Sequence, residues 1–134
     1  MGREGTGESG GPPQNRTMII AVLDDLMFTS KIKTTAKQLD VPIVFVRSAA
    51  AALDEMRKSA PSLVIFDLNN PRTDPLGIIR SMKDDAALAT IPTVGFVSHV
   101  QVDLIEAARR AGVGQVMARS LFTEQLRELL EGFK

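Results

Sequence analysis

The sequence predicts one α/β domain in which helices cover both faces of a doubly wound, parallel five-stranded sheet. Five short apolar runs occur along the chain, and runs of this length are typical of strands that are buried on both faces. Amphipathic segments with helical spacing separate these runs. Each strand–helix unit takes roughly 20–25 residues, as short crossover connections require. This regular alternation predicts the doubly wound architecture.

The composition fits an ordinary soluble domain and excludes several kinds of site. The chain has 134 residues, of which 44% are hydrophobic, and its 16 basic and 16 acidic residues leave no net charge. We therefore expect no nucleic-acid partner, no membrane span and a cytoplasmic location. There is no cysteine and His99 is the only histidine, so disulfides and multi-histidine metal sites are excluded. Residues 1–16 are rich in glycine and proline, which predicts a disordered tail before a folded domain over residues 17–134.

The first half of the chain contains three predicted strands, at Met18–Leu23, Pro42–Val46 and Leu63–Asp67. Apolar residues at helical spacing predict a helix from Phe28 to Leu39 after the first strand. A second helix is predicted from Ala49 to about Ser59, with Ser48 as its N-cap.

The second half continues the same alternation. A short helix is predicted from near Pro75 to Met82, and strands are predicted at Pro92–Val97 and Val113–Ala118. Between these strands a helix over residues 104–111 is ended by Gly112. The last helix is predicted to begin at Thr123 as its N-cap, with Glu124 in the first turn. Its apolar face consists of Leu126, Leu129, Leu130 and Phe133.

Three carboxylates follow the first and third strands. Asp24 and Asp25 come after the first strand, and Asp67 ends the third. In the flavodoxin-like strand order 2-1-3-4-5, these two strands flank the point where the order reverses and where ligands bind. The three acids should therefore meet at one edge of the sheet. Because like charges raise one another's pKa, such a cluster favours a cation. The alternative, that the acids only cap a turn or a helix, stays open.

A magnesium ion suits this predicted edge because Mg²⁺ prefers oxygen ligands and bridges to phosphate. Asp24, Asp25, Asp67 and the backbone carbonyl of Asn69 are the candidate ligands. A carboxylate beside the metal can attack phosphorus and form an aspartyl phosphate. Ser98, after the fourth strand, can donate to a phosphoryl oxygen, and Arg119, after the fifth, can supply a positive charge.

Residues 17–133 resemble the receiver domain of bacterial two-component response regulators, which are CheY-like proteins. The resemblance rests on the positions already named and on Asn69-Asn70-Pro71 and Ala111-Gly112. It implies a non-enzymatic signalling module in a phosphorelay, in which Asp67 accepts phosphate from a sensor histidine kinase or phosphotransfer protein. Asp24 and Asp25 would hold Mg²⁺, and Ser98 would sense the phosphoryl group.

The resemblance also bears on output. We expect a downstream protein partner to bind the face of the fourth helix, fifth strand and fifth helix. The chain ends after the fifth helix, so we expect no appended output domain, and a homodimer is a further state that the sequence leaves open.

Several residues depart from the family's pattern. The family has lysine and proline after the fifth strand, where this chain has Arg119 and Ser120, and arginine does not simply replace lysine. Val116 takes the place of an aromatic switch residue, and His99 follows Ser98 where a small residue is commoner. These departures support an alternative hypothesis. In this alternative the domain is a pseudo-receiver that binds proteins or dimerises, and Arg119 pairs permanently with Asp67.

Overall fold

The predicted architecture is confirmed by the computed structural model, which describes residues 18–98 and 101–133. One sheet of five parallel strands has the order β2-β1-β3-β4-β5. The predicted tail and His99 lie outside the described residues. The strands are β1 Ile19–Val22, β2 Ile43–Val46, β3 Leu63–Asp67, β4 Thr93–Val97 and β5 Gln115–Ala118.

Five helices alternate with the strands in the part of the chain that the structure describes, and a 3-10 turn, Pro71–Thr73, lies in the connection after β3. Two helices pack against one face of the sheet and three against the other. No helix within the described ranges is long and apolar enough to cross a bilayer. The helices are α1 Leu26–Gln38, α2 Ala49–Ser59, α3 Pro75–Lys83, α4 Val102–Ala111 and α5 Arg119–Gly132.

The core is divided by the sheet into two apolar layers. Successive side chains of a strand point to opposite faces, so Ile19 and Ala21 pack toward α1 and α5, while Ile20 and Val22 pack toward the other three helices. All five residues of β3 are buried, as expected for the central strand. This burial explains why its sequence is continuously apolar up to Asp67.

Three predicted helix boundaries are confirmed, namely the starts of α2 and α3 and the end of α4. The Ser48 hydroxyl accepts a hydrogen bond from the Ala51 backbone N–H at 3.1 Å and so caps α2. Pro75 is the first residue of α3. Gly112 ends α4 with a φ of 112°, a left-handed conformation that glycine adopts without steric cost.

The predicted start of α5 is wrong. The helix begins at Arg119, directly after β5, so Thr123 is not its N-cap and Glu124 lies beyond the first turn. The Thr123 hydroxyl instead donates to the Arg119 carbonyl oxygen at 2.9 Å, one turn back within the helix. The physical reason is Phe122, which is fully buried and extends the apolar stripe by one turn toward the N-terminus.

Candidate functional site

The strand register brings the predicted site residues to one edge of the sheet. Val22 of β1 is level with Phe66 of β3, so the chain after both strands leaves the sheet at the same height. Val97 of β4 is likewise level with Ala118 of β5. Asp24, Asp67, Ser98 and Arg119 all lie within two residues of these positions, which places them at the carboxyl edge.

Asp67 is the buried acid of this edge, with only 8% of its surface exposed. One carboxylate oxygen, Oδ1, accepts a hydrogen bond from the Asn69 backbone N–H at 3.0 Å. Burial raises the pKa of Asp67 above 3.8, and the charges of Asp25 and Asp24 act in the same direction. The Asn69 N–H and the Arg119 charge oppose this rise in pKa. Asp24 and Asp25 therefore lie close enough to Asp67 to influence its ionisation.

Asp25 serves two structural purposes at once. Its Oδ1 accepts from the Phe28 backbone N–H at 3.0 Å and thereby caps α1. Its Oδ2 pairs with the Arg119 guanidinium at 3.1 Å. The Phe28 N–H, assisted by Arg119, holds the pKa of Asp25 below 3.8 against the opposing effect of burial. The capping role that the sequence left open is therefore present at Asp25.

Asp24 is bound by the loop that follows β3. The Arg72 guanidinium lies 2.9 Å from Asp24 Oδ2, and the Asn70 side-chain amide donates to Asp24 Oδ1. Asn70 in turn accepts from the Arg72 backbone N–H at 3.0 Å. Sequence reasoning missed Arg72. The available signal was its place within the loop after Asp67, but the direction of a long, exposed side chain cannot be inferred from spacing.

Arg119 reaches across the site from the start of α5. Its guanidinium pairs with Asp25, makes a long hydrogen bond of 3.4 Å to the Ser98 hydroxyl, and has its Cζ 4.1 Å from the centroid of the Phe28 ring. The sequence-based alternative expected Arg119 to pair with Asp67. Among the described residues its ion pair is with Asp25, because the ring and the less buried carboxylate lie together on the α1 side.

Ser98 is fixed by its backbone as well as by Arg119. The Ser98 N–H donates to the side-chain oxygen of Asn69, whose amide nitrogen donates to Gln101 Oε1 at 3.0 Å. Asn69 thus joins the loop after β3 to the loop after β4. Ser98 does not cap α4, since the N-cap is Gln101, which makes no side-chain capping bond.

The donor atoms of this edge are the kind that a hard divalent cation prefers, namely carboxylate and carbonyl oxygens. In this conformation the oxygens of Asp24 and Asp25 are occupied by guanidinium, amide and backbone N–H donors. Within residues 18–98 and 101–133 no group of three or more acidic, histidine or cysteine side chains is arranged to hold a metal ion. The residue types fit Mg²⁺, and binding requires an exchange of partners.

No family model matches the chain. It is similar to protein-glutamate methylesterase/protein-glutamine glutaminase 5 of Myxococcus xanthus, with 28% identity over 116 residues that cover 82% of this chain and 33% of that protein. The chain therefore spans about a third of the length of this relative.

Solved structures with the same fold are response regulators. The phosphorylated cyanobacterial phytochrome response regulator RcpA has a TM-score of 0.73 and 24% identity, and the match covers 87% of this chain and 90% of that one. The Mn²⁺-bound response regulator Rcp1 has a TM-score of 0.70 and 21% identity, with the same two coverages. The chain therefore has the fold of a response-regulator receiver domain, a flavodoxin-like sheet of five βα units, and the predicted fold resemblance is confirmed.

Proposed function

We propose that this chain is a receiver domain in a phosphorelay, which accepts a phosphoryl group on Asp67 and signals by a change in its protein contacts. The observation that carries the proposal is the state of Asp67. It is a buried carboxylate at the reversal point of the strand order, oriented by the Asn69 N–H and influenced by two further acids. The phosphorylated state of RcpA supports the same role here.

The chemistry is a transfer from nitrogen to oxygen. The Asp67 carboxylate attacks the phosphorus of a phosphohistidine, the P–N bond breaks, and the departing imidazole takes a proton from solvent. The product is an acyl phosphate. Because the Asn69 N–H holds Oδ1, Oδ2 is the attacking oxygen. Arg119 and the Ser98 hydroxyl, which are in contact with each other, donate hydrogen bonds to the phosphoryl oxygens and so stabilise their negative charge.

Asp24, Asp25, Asp67 and the Asn69 carbonyl are the residues that would hold Mg²⁺. When bound, the ion supplies positive charge to the phosphoryl oxygens and lowers the pKa of the attacking carboxylate. The Mn²⁺-bound form of Rcp1 supports the binding of a divalent cation by a domain with this fold.

Exposed apolar side chains suggest where partners bind. Leu26 and Met27 are exposed and follow Asp25 directly, which supports docking of the phosphohistidine donor over this rim. Val102 on α4 and Leu121 on α5 are also exposed, which supports a downstream partner on the face of α4, β5 and α5. Val116 in β5 is stiff about χ1 and carries no ring, so the output motion does not depend on an aromatic switch there.

A second candidate function is an interaction module that is never phosphorylated. The observation that favours it is that two of the three acids already have guanidinium partners, Asp24 with Arg72 and Asp25 with Arg119. In this alternative the arginines take over the role of the cation permanently.

The deciding experiment is intact mass spectrometry after incubation with acetyl phosphate and Mg²⁺. We expect one phosphoryl adduct on the wild-type chain, none on Asp67→Asn, and an unchanged adduct on Asp54→Asn, which alters an exposed acid on α2. An absent wild-type adduct, together with absent beryllofluoride binding, would favour the interaction module.

A further inference from the structure

One loop occupies both carboxylate oxygens of Asp24. Arg72 approaches Oδ2 at 2.9 Å, and the Asn70 amide donates to Oδ1. The Asn70 side-chain oxygen accepts from the Arg72 backbone N–H at 3.0 Å, so the three residues form a closed ring of polar contacts. A cation that takes Asp24 as a ligand competes with these contacts for the carboxylate oxygens.

The Arg72 side chain can readily leave its ion pair with Asp24. Its side chain is 79% exposed, whereas that of Asp24 is 19% exposed. An exposed ion pair is weak, because water solvates the guanidinium nearly as well as the carboxylate does. The Arg72 head group therefore loses little when it returns to solvent. Asp24 is largely shielded from water, so leaving its charge without a cation costs more free energy.

We propose that Arg72 is a tethered cation that competes with the divalent metal for Asp24 and so lowers the metal affinity of the site. The inference rests on the proposed function, because it assumes that Asp24 is a metal ligand. Arg72 sets how much free cation the domain needs before Asp67 can react. It positions a charge and does not itself touch the transferred group.

Arg119 is the less readily displaced of the two arginines. Its guanidinium pairs with Asp25 and also lies over the Phe28 ring, and its side chain is only 35% exposed. Withdrawal of Arg119 would break a contact to an aromatic face as well as an ion pair. Arg119 is therefore the more strongly held charge, and Arg72 is the more easily displaced one.

The test is calorimetric titration of the full chain with MnCl₂, and then with MgCl₂, in the absence of any phosphodonor. We expect Arg72→Gln to bind the metal about 3- to 10-fold more tightly than the wild type, which is the scale of one exposed ion pair plus the repulsion of a nearby charge. The gain should shrink as NaCl is added. Arg72→Lys keeps the charge and should stay within about twofold of the wild type.

Arg57→Gln is the matched control, since Arg57 also pairs with an acid, Asp85, at 3.2 Å, but lies away from this edge. Its metal affinity should equal that of the wild type. Equal affinities of the wild type and Arg72→Gln, or an equal gain in Arg72→Lys, would overturn the competition while leaving the proposed function intact. Absence of metal binding in every variant would overturn both.

Discussion

Two arginine–aspartate pairs lie beside Asp67, and they have nearly the same length. The Arg72–Asp24 pair measures 2.9 Å and the Arg119–Asp25 pair 3.1 Å. The surroundings differ much more than the distances. Arg72 reaches out from a short 3-10 turn into solvent, whereas Arg119 begins a 14-residue helix and lies over an aromatic ring. Ion pairs of equal length in the same site therefore need not contribute equally to stability.

The difference originates in the core below Arg119. The rings of Phe28, Phe96 and Phe122 are packed with centroid separations of 4.8 to 5.8 Å. They join α1, β4 and α5 directly beneath the guanidinium. Arg72 has no aromatic contact of this kind among the described residues. Arg119 thus lies on a packed group of aromatic rings.

The largest expected effect is that of removing this support. Phe28→Ala should lower the free energy of unfolding by about 3–5 kcal/mol, as usual for truncation of a buried phenylalanine. Urea denaturation followed by circular dichroism measures the change. Phe45→Ala, at a half-buried ring on the same side of the sheet, is the matched control and should cost clearly less. Equal losses would show that the ring under Arg119 has no special role.

The next largest effect on the free energy of unfolding is expected at Asp67, the acid beside the two arginine–aspartate pairs. Asp67→Asn should raise the free energy of unfolding of the metal-free protein at neutral pH by about 1–3 kcal/mol, because it removes a buried charge next to two others. The asparagine side-chain oxygen can still accept from the Asn69 N–H. A loss of stability in this variant would mean that Arg119 already satisfies the charge of Asp67.

The same substitution should change the pH dependence of stability in a definite direction. The pKa of Asp67 is raised in the folded state, so its favourable contribution is complete below 3.8 and is lost as the pH rises through the raised value. Asp25 behaves in the opposite way. Its pKa is lowered, so its contribution is present above 3.8 and is lost as the pH falls through the lowered value.

Urea titrations of each variant at a series of pH values separate the two acids. Asp67→Asn should remove a decline in stability toward neutral pH, and Asp25→Asn should remove a decline toward acid pH. If both variants kept the wild-type pH profile, neither carboxylate would be coupled to folding.

The contrast between the arginines also marks what the sequence can predict. The edge where Asp24, Asp25 and Asp67 meet follows from strand periodicity and from the parallel order, which are properties of the backbone. The partner of Arg119 does not follow, because it depends on the Phe28 ring and on a three-dimensional choice between two nearby acids. Arg72 was missed because sequence spacing does not give the direction of a long, exposed side chain.

The prediction of where α5 begins was wrong for a different reason. Thr123 is a good N-cap type, but capping preference contributes about 1 kcal/mol, and burial of Phe122 is worth more. The helix therefore extends back to Arg119. This shift matters for the proposed function, because it fixes the backbone of Arg119 in the first turn of the helix.

A smaller effect is expected at Arg119 itself. Arg119→Gln removes one partly exposed ion pair and a cation–π contact, so the loss in the free energy of unfolding should be about 1–2 kcal/mol. Arg119→Lys keeps the charge and should recover part of this loss. Urea denaturation of both variants at low and moderate salt measures the two values. A loss in Arg119→Gln that was no larger than that in Arg72→Gln would remove the distinction between the pairs.

The smallest effect is expected at Arg72. Arg72→Gln should change the free energy of unfolding of the metal-free protein by less than about 0.5 kcal/mol, because the guanidinium is mostly in water and the glutamine amide can still donate to Asp24. Arg57→Gln, at another exposed pair, should give a change of the same size. A loss above about 1 kcal/mol, beyond the usual range for exposed pairs, would show that the loop is held rigidly on Asp24. In that case Arg72 would be a structural charge like Arg119, and a metal would have to overcome folding energy to displace it.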